Sequence, residues 1–155
     1  MIRAANKTDE GAISQCVHTA FEPYISRLGK PPGPMLDDYA QVIDQDQVFV
    51  ITLDGVIAGL TVLKKAQETL LLETLAVHPI YQGQGLGKTL LNYVETLAAK
   101  EGYETLQLYT HEKMTENIVM YQRCGYVEIK RCTEKGYQRV YMEKPVKHLS
   151  DRVIV

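Results

Sequence analysis

The strongest constraint on this chain is a change of period between residues 69 and 99. Thr69 to Val77 reads TLLLETLAV, nearly continuous in apolar residues, and His78-Pro79 ends it. Such a run predicts a strand buried on both faces. Gly83, Gly85 and Gly87 come next. Leu86, Leu90, Val94 and Leu97 then lie along one face of a helix predicted over Gly85 to Ala99, stopped by Gly102. A strand feeding a helix through glycines gathers backbone N–H groups that lack intrahelical partners. With the helix macrodipole these make an anion site, and phosphate is a usual occupant.

The spacing excludes two familiar phosphate loops. A P-loop needs its first glycine where Gln82 stands, and the dinucleotide fingerprint needs its third where Lys88 stands. In those motifs a side chain would collide with phosphate, strand or turn. The spacing present is Q-x-x-G-x-G, from Gln82, Gly85 and Gly87. Gly85 and Gly87 remove Cβ atoms where a diphosphate would approach. Lys88 in the first turn opposes the dipole, a cost that a bound diphosphate would offset. The competing reading is a glycine-rich turn with no ligand.

Flanking segments complete the architecture. Ile2 to Ala5 reads as a first strand. Thr8 or Asp9 offers an N-cap for a helix with Ile13, Cys16, Val17, Ala20 and Phe21 on one stripe. RLGKPPGPM, Arg27 to Met35, reads as a loop without regular structure, and a short helix is expected from Met35 to about Asp44. Val48 to Leu53 and Val56 to Leu63 flank Asp54-Gly55, a hairpin signal. Thr105 to Thr110 reads as a strand. Thr115 to Cys124 reads as a helix with Thr115 as N-cap and Gly125 as C-cap. Tyr126 to Arg131 and Arg139 to Met142 read as a final pair of strands around Lys135-Gly136. The expected fold is α/β (α+β), a mixed, mostly antiparallel sheet with flanking helices, in one domain over residues 1 to 145. The tail 146 to 155 reads as a frayed end or as an edge strand at a homodimer interface.

Composition narrows the partners. The 155 residues carry a net charge of −2 without a Lys/Arg block, which argues against nucleic acid or an anionic membrane as partner. No apolar stretch is long enough to span a bilayer. The first residues show no signal-peptide core. Cys16, Cys124 and Cys132 are odd in number and widely spaced, which fits reduced thiols in a cytoplasmic protein and no metal site.

Two segments together carry a family resemblance. LETLAVHPIYQGQGLGKTLLNYVE, Leu72 to Glu95, resembles the acetyl-CoA-binding segment of the GNAT superfamily of N-acetyltransferases. LQLYTHEKMTENIVMYQRCGYVE, Leu106 to Glu128, is similar to that family's second segment, with Asn117, Tyr121, Gly125 and Tyr126 at its N-x-x-x-Y and G-[FY] positions. The resemblance covers roughly residues 1 to 145 and implies the order β-α-α-β-β-β-α-β-α-β-β. It implies that acetyl-CoA is bound, with pantetheine along Leu75, Ala76 and Val77 and the diphosphate on Gln82, Gly83, Gln84, Gly85, Leu86, Gly87 and Lys88. Asn117 takes a cofactor-contacting role by the same resemblance.

Acetyl transfer to an amine needs a base for the amine and an acid for the departing thiolate. Tyr121 lies one helical turn after Asn117, and a phenol matches a thiol in basicity. Tyr121 is therefore the expected acid, the bland reading being an aromatic core residue. Glu73, a carboxylate mid-strand, is the expected base, unless it forms a structural ion pair. His111 with Glu112 is an alternative base. Cys124 is read as packing, not as a nucleophile. The resemblance places the acceptor beside Phe21 to Tyr39, with Tyr24, Arg27, Asp37 and Asp38 as candidates. The aspartates also read as ordinary first-turn charges of a short helix. A small-molecule or peptide amine is the expected partner. The alternative to an enzyme is a CoA-binding sensor without catalysis, and a third reading is a nucleotide-binding protein.

Overall fold

The computed structural model describes residues 1–147. Seven strands hydrogen-bond in the order β1-β2-β3-β4-β5-β7-β6. They are β1 (Ile2–Ala4), β2 (Gln47–Leu53), β3 (Val56–Ala66), β4 (Thr69–Val77), β5 (Thr105–His111), β6 (Val127–Glu134) and β7 (Tyr137–Pro145). Five α-helices are described: α1 (Glu10–Phe21), α2 (Tyr24–Leu28), α3 (Tyr39–Gln45), α4 (Leu86–Lys100) and α5 (Thr115–Arg123). The ladder from β4 to β5 is parallel, while β1–β2, β2–β3, β5–β7 and β6–β7 are antiparallel. The mixed, mostly antiparallel sheet expected from the sequence is present. The chain divides into two compact units.

The first unit comprises Met1–Lys64 and Glu73–Leu91. Asp54-Gly55 makes the β2–β3 hairpin, both residues having positive φ, as a tight turn between twisted strands requires. The predicted stripe of α1 is buried at Ile13, Cys16, Val17 and Phe21. Its N-terminus differs from expectation. Asp9 holds the N-cap position without capping α1; its carboxylate bonds the Asn6 N–H and the Arg3 guanidinium instead, closing a preceding 3-10 turn, Lys7–Asp9, that Asn6 heads. The stretch Arg27–Met35 is also more regular than its prolines suggest. Arg27 and Leu28 finish α2, Gly29 terminates it at φ 81°, and Gly33–Leu36 form a 3-10 turn with Pro34 in its first positions. Proline suits a helix start, where its missing N–H costs nothing. The next helix consequently begins at Tyr39 rather than Met35, with Asp38 as its N-cap.

The second unit comprises Lys65–Leu72 and the chain from Asn92 onward. Leu106, Leu108, Thr110, Val140 and Met142 are buried on β5 and β7. The β6 strand carries a bulge between Glu128 and Lys130, so Glu128 faces Met142 and Lys130 faces Tyr141. The bulge lets Arg131 reach back to Glu128 at 2.9 Å on the same face. Val146 continues from β7 with its N–H on the Glu104 carbonyl. From His148 on, the expected tail lies outside the described residues.

The β4 strand corrects one expectation. Leu70, Leu72, Thr74 and Ala76 are buried, while the alternate residues are only half-buried. The strand therefore alternates as a one-sided strand does, despite its apolar composition.

Candidate functional site

The predicted cofactor residues of the first unit, from Leu75 to Lys88, lie where β4 ends and α4 begins. Gly59 sets this up from β3. A Cβ there would lie 2.8 Å from the Ala76 carbonyl oxygen and 3.4 Å from Leu90 Cδ1, so only glycine allows this approach. Leu75, Tyr81 and Leu86 pack against buried Ile51, Ala58 and Leu90, which anchors both ends of the turn. The His78 N–H bonds the Ala58 carbonyl, and its Nδ1 accepts from the Ile80 N–H. Gln82 donates its side-chain amide to the Val77 carbonyl at 3.0 Å.

Gly83 and Gly85 have φ of 83° and 78°, and neither would meet anything within 4 Å on gaining a Cβ. Their role in the turn is conformational, since side chains strongly disfavour this region. Gly87 lies inside the first turn of α4, with only Val77 Cγ2 at 4.0 Å. The Thr89 N–H and hydroxyl both bond the Gly85 carbonyl, which starts the helix there. The N–H groups of Leu86, Gly87 and Lys88 then precede the first intrahelical bond and point out of the helix. Gln82, Gly83, Gln84, Gly85 and Lys88 are exposed. An open helix start facing solvent suits a diphosphate, and these residues fit it.

Glu73 is half-buried and pairs with Lys64 at 3.4 Å, so the ion-pair reading of this carboxylate is realised. Arg27 lies over the Tyr24 ring at 5.0 Å. Asp37 follows the 3-10 turn, and Asp38 accepts from the Ala40 N–H. Tyr39 is buried with its hydroxyl on the Pro34 carbonyl.

In the second unit, α5 carries Asn117 and Tyr121. Its N-cap position is Met114, not Thr115, whose hydroxyl turns to Glu116. Asn117 Nδ2 and Thr110 Oγ1 both contact Met114 Sδ, at 3.6 and 3.7 Å. Tyr121 is only 6% exposed, with its ring edge-on to Tyr126 at 5.9 Å. This ring contact belongs to the helix end. The Tyr126 N–H bonds the Tyr121 carbonyl and the Gly125 N–H bonds the Gln122 carbonyl, both at 3.0 Å, with Gly125 at φ 95°. That is a Schellman ending, with Cys124 as C-cap where Gly125 was expected and Gly125 one residue beyond it. Burial pushes the Tyr126 phenol well above its usual range, and the neighbouring Tyr121 adds to this.

His111 ends β5. Its Nδ1 accepts from the Lys113 N–H at 3.0 Å and its ring meets Tyr137 edge-on at 6.3 Å. Near it, a cleft of about 190 Å3 is lined by Glu112, Arg131, Cys132, Thr133, Gln138 and Arg139. Its arginines are paired: Arg131 with Glu128 at 2.9 Å and with Glu112 at 4.0 Å, and Arg139 with Glu134 at 3.0 Å. Glu134 also accepts from the Tyr141 hydroxyl and from the Cys132 thiol, and the thiol bond raises the Cys132 pKa. Cys16 is buried, which pushes its thiol up to about 11. Among the described residues no group of three His, Cys, Asp or Glu is placed to hold a metal ion, and no helix is long and apolar enough to cross a membrane.

Sequence reasoning missed Gly59, which was visible only as a glycine inside a strand pattern, a signal of close backbone approach.

A mixed seven-stranded sheet, with a glycine turn feeding α4 and a tyrosine-bearing α5 after β5, defines the acetyltransferase fold class. A sequence model of the acetyltransferase (GNAT) family matches residues 14–126, and the chain belongs to that family. It is similar to the ribosomal protein bS18-alanine N-acetyltransferase of Escherichia coli K12, at 31% identity over 80 residues covering 52% of this chain and 54% of that protein. It is also similar to an uncharacterized N-acetyltransferase of Bacillus subtilis, at 26% identity covering 64% and 63%. The chain thus matches about half the length of the first of these relatives. The crystal structure of the Escherichia coli S18-alanine N-acetyltransferase superposes with a TM-score of 0.79 at 21% identity, covering 100% of this chain and 99% of that one. The PaiA N-acetyltransferase of Thermoplasma acidophilum, solved in complex with coenzyme A, gives 0.78 at 20% identity, covering 94% and 98%. At these identities the superpositions show the fold.

Proposed function

We propose that this protein is a cytoplasmic acetyl-CoA-dependent N-acetyltransferase that moves an acetyl group to a primary amine by direct attack in a ternary complex. The observation that carries the reading is the turn from Gln82 to Lys88, with its two left-handed glycines and its open helix start. The relative solved with coenzyme A has the same fold, which supports CoA as the ligand here. We read residues 1 to 145 as one acetyltransferase domain.

Acetyl-CoA supplies an activated acyl thioester when bound. The N–H groups of Leu86, Gly87 and Lys88 hold its diphosphate. The backbone of Leu75 and Ala76 takes pantetheine amides as an added strand would; the Val77 carbonyl already accepts from Gln82. Asn117 contacts the cofactor. Glu73, released from Lys64, takes the proton of the attacking amine directly or through water, with His111 as the alternative base. Tyr121 donates its phenolic proton to the departing sulfur. In sum, the C–S bond breaks, the C–N bond forms, and one proton passes from amine to base while another passes from phenol to thiolate. Tyr24, Arg27 and Asp37 border the acceptor, a small-molecule or peptide amine.

The non-catalytic CoA-sensor reading draws on two observations: Glu73 is ion-paired and Tyr121 is buried. A panel of primary amines, followed by thiol release from acetyl-CoA, decides. Amine-dependent release establishes the enzyme. CoA binding with no amine raising release above background establishes the sensor. Thermal stabilisation by ATP but not by CoA would overturn both.

A further inference from the structure

Lys144, on β7, is largely withdrawn from solvent, its side chain 16% exposed. Its ammonium bonds Glu95 Oε2 on α4 at 3.0 Å and the Cys124 carbonyl, at the C-cap of α5, at 2.7 Å. It also lies 5.8 Å from the centre of the Tyr126 ring. A Cβ on Gly125 would approach Lys144 Cε at 3.3 Å, so the lysine stem crosses directly over the turn. Withdrawing an ammonium and a carboxylate from water is costly, and an apolar pair would often serve stability as well. What this pair fixes is geometry. It ties the end of α5 to two other elements at the turn where Tyr126 folds back onto Tyr121.

Building on the catalytic reading of Tyr121, we infer that Lys144, held by Glu95, is a positioning residue that fixes the Tyr121 ring through the C-cap of α5 and the Tyr126 ring. The chain of contacts is short. Lys144 holds the Cys124 carbonyl; the Schellman bonds of Gly125 and Tyr126 run back to Gln122 and Tyr121; and the Tyr126 ring closes on Tyr121. A cation at a helix C-terminus is favourable in itself. This cation is also braced from α4, which a solvent-facing lysine would not be.

The test begins on the ligand-free protein. In Lys144→Met and Glu95→Gln, the NMR cross-peaks between the Tyr121 and Tyr126 rings weaken and the Tyr126 amide exchanges faster. Lys144→Arg keeps both. Kinetics follow with acetyl-CoA and the best amine of the panel. Lys144→Met lowers kcat about 10-fold to 100-fold, as a small misplacement of a reacting group does. It leaves KM for acetyl-CoA unchanged, and Lys144→Arg recovers most of the loss. In a Tyr121→Phe background Lys144→Met costs nothing further. Unchanged ring cross-peaks in both variants overturn the inference. So does a kcat loss of equal size in the Tyr121→Phe background, or an intact kcat in Lys144→Met when Tyr121→Phe is slow. If Tyr121→Phe loses no activity, the catalytic reading itself falls, a separate outcome. Should Lys144→Met not fold, Glu95→Gln carries the same comparisons.

Discussion

The Gln82 side-chain amide and the Val77 carbonyl are joined by a 3.0 Å hydrogen bond that folds the glycine turn back onto the strand entering it. The bond links the residue before the glycines to the last residue of β4, so the helix start of α4 is held at a fixed distance from the strand. Removing it in Gln82→Ala costs global stability no more than about 1 kcal/mol, since the bond is exposed to water. CoA affinity falls about tenfold as the turn loosens. Calorimetric titration beside a urea melt separates the two effects.

The two left-handed glycines make a sharper test. Gly85→Val places a β-branched residue at φ 78°, where side chains are strained. CoA binding is lost, while circular dichroism stays that of a folded protein. Gly59→Ala has the opposite signature. Its Cβ would lie 2.8 Å from the Ala76 carbonyl oxygen, deep in the first unit. Stability drops by about 1–3 kcal/mol, the usual cost of overpacking, read by urea denaturation.

Tyr121→Phe keeps the ring packed against Tyr126 and removes only the hydroxyl. On the proposed chemistry kcat falls by about 10²-fold or more with KM for acetyl-CoA unchanged. Equal loss in binding and turnover assigns the hydroxyl to binding instead.

Glu73→Gln removes the base and the Lys64 ion pair together. The pair is partly exposed, so stability changes by less than about 1 kcal/mol. On the proposed chemistry kcat falls by about 10²-fold or more; an intact kcat assigns the base elsewhere, His111 first.

Asp9 gives a pH test of the fold alone. The Arg3 guanidinium holds its carboxyl below the usual carboxylate range, and the Asn6 N–H helps. A depressed folded-state pKa stabilises above the unfolded value, near 3.9, and that contribution is lost as pH falls through the folded one. Asp9→Asn therefore destabilises at pH 7 by about 1 kcal/mol, as weakening a partly exposed ion-paired hydrogen bond does, and the difference from wild type vanishes in strong acid. Thermal melts across pH measure it.

Much of this architecture was legible because its signals are local. The Asp54-Gly55 hairpin, the stripe of α1, and the glycine spacing before α4 each need only neighbouring residues to interpret. The expectation failed where a local rule met a tertiary or cap-level alternative. Pro34 starts a 3-10 turn instead of merely breaking structure. The apolar run of β4 resembles a doubly buried strand, yet Leu71, Leu75 and Val77 are only half-buried. The Lys144–Glu95 pair spans 49 residues of sequence, and no periodicity announces a contact of that separation.

The most direct test of the central claim is a crystal structure of the protein with coenzyme A. Diphosphate oxygens are expected within hydrogen-bond distance of the backbone N–H groups of Leu86, Gly87 and Lys88. A coenzyme bound elsewhere, with that helix start bare, would contradict it.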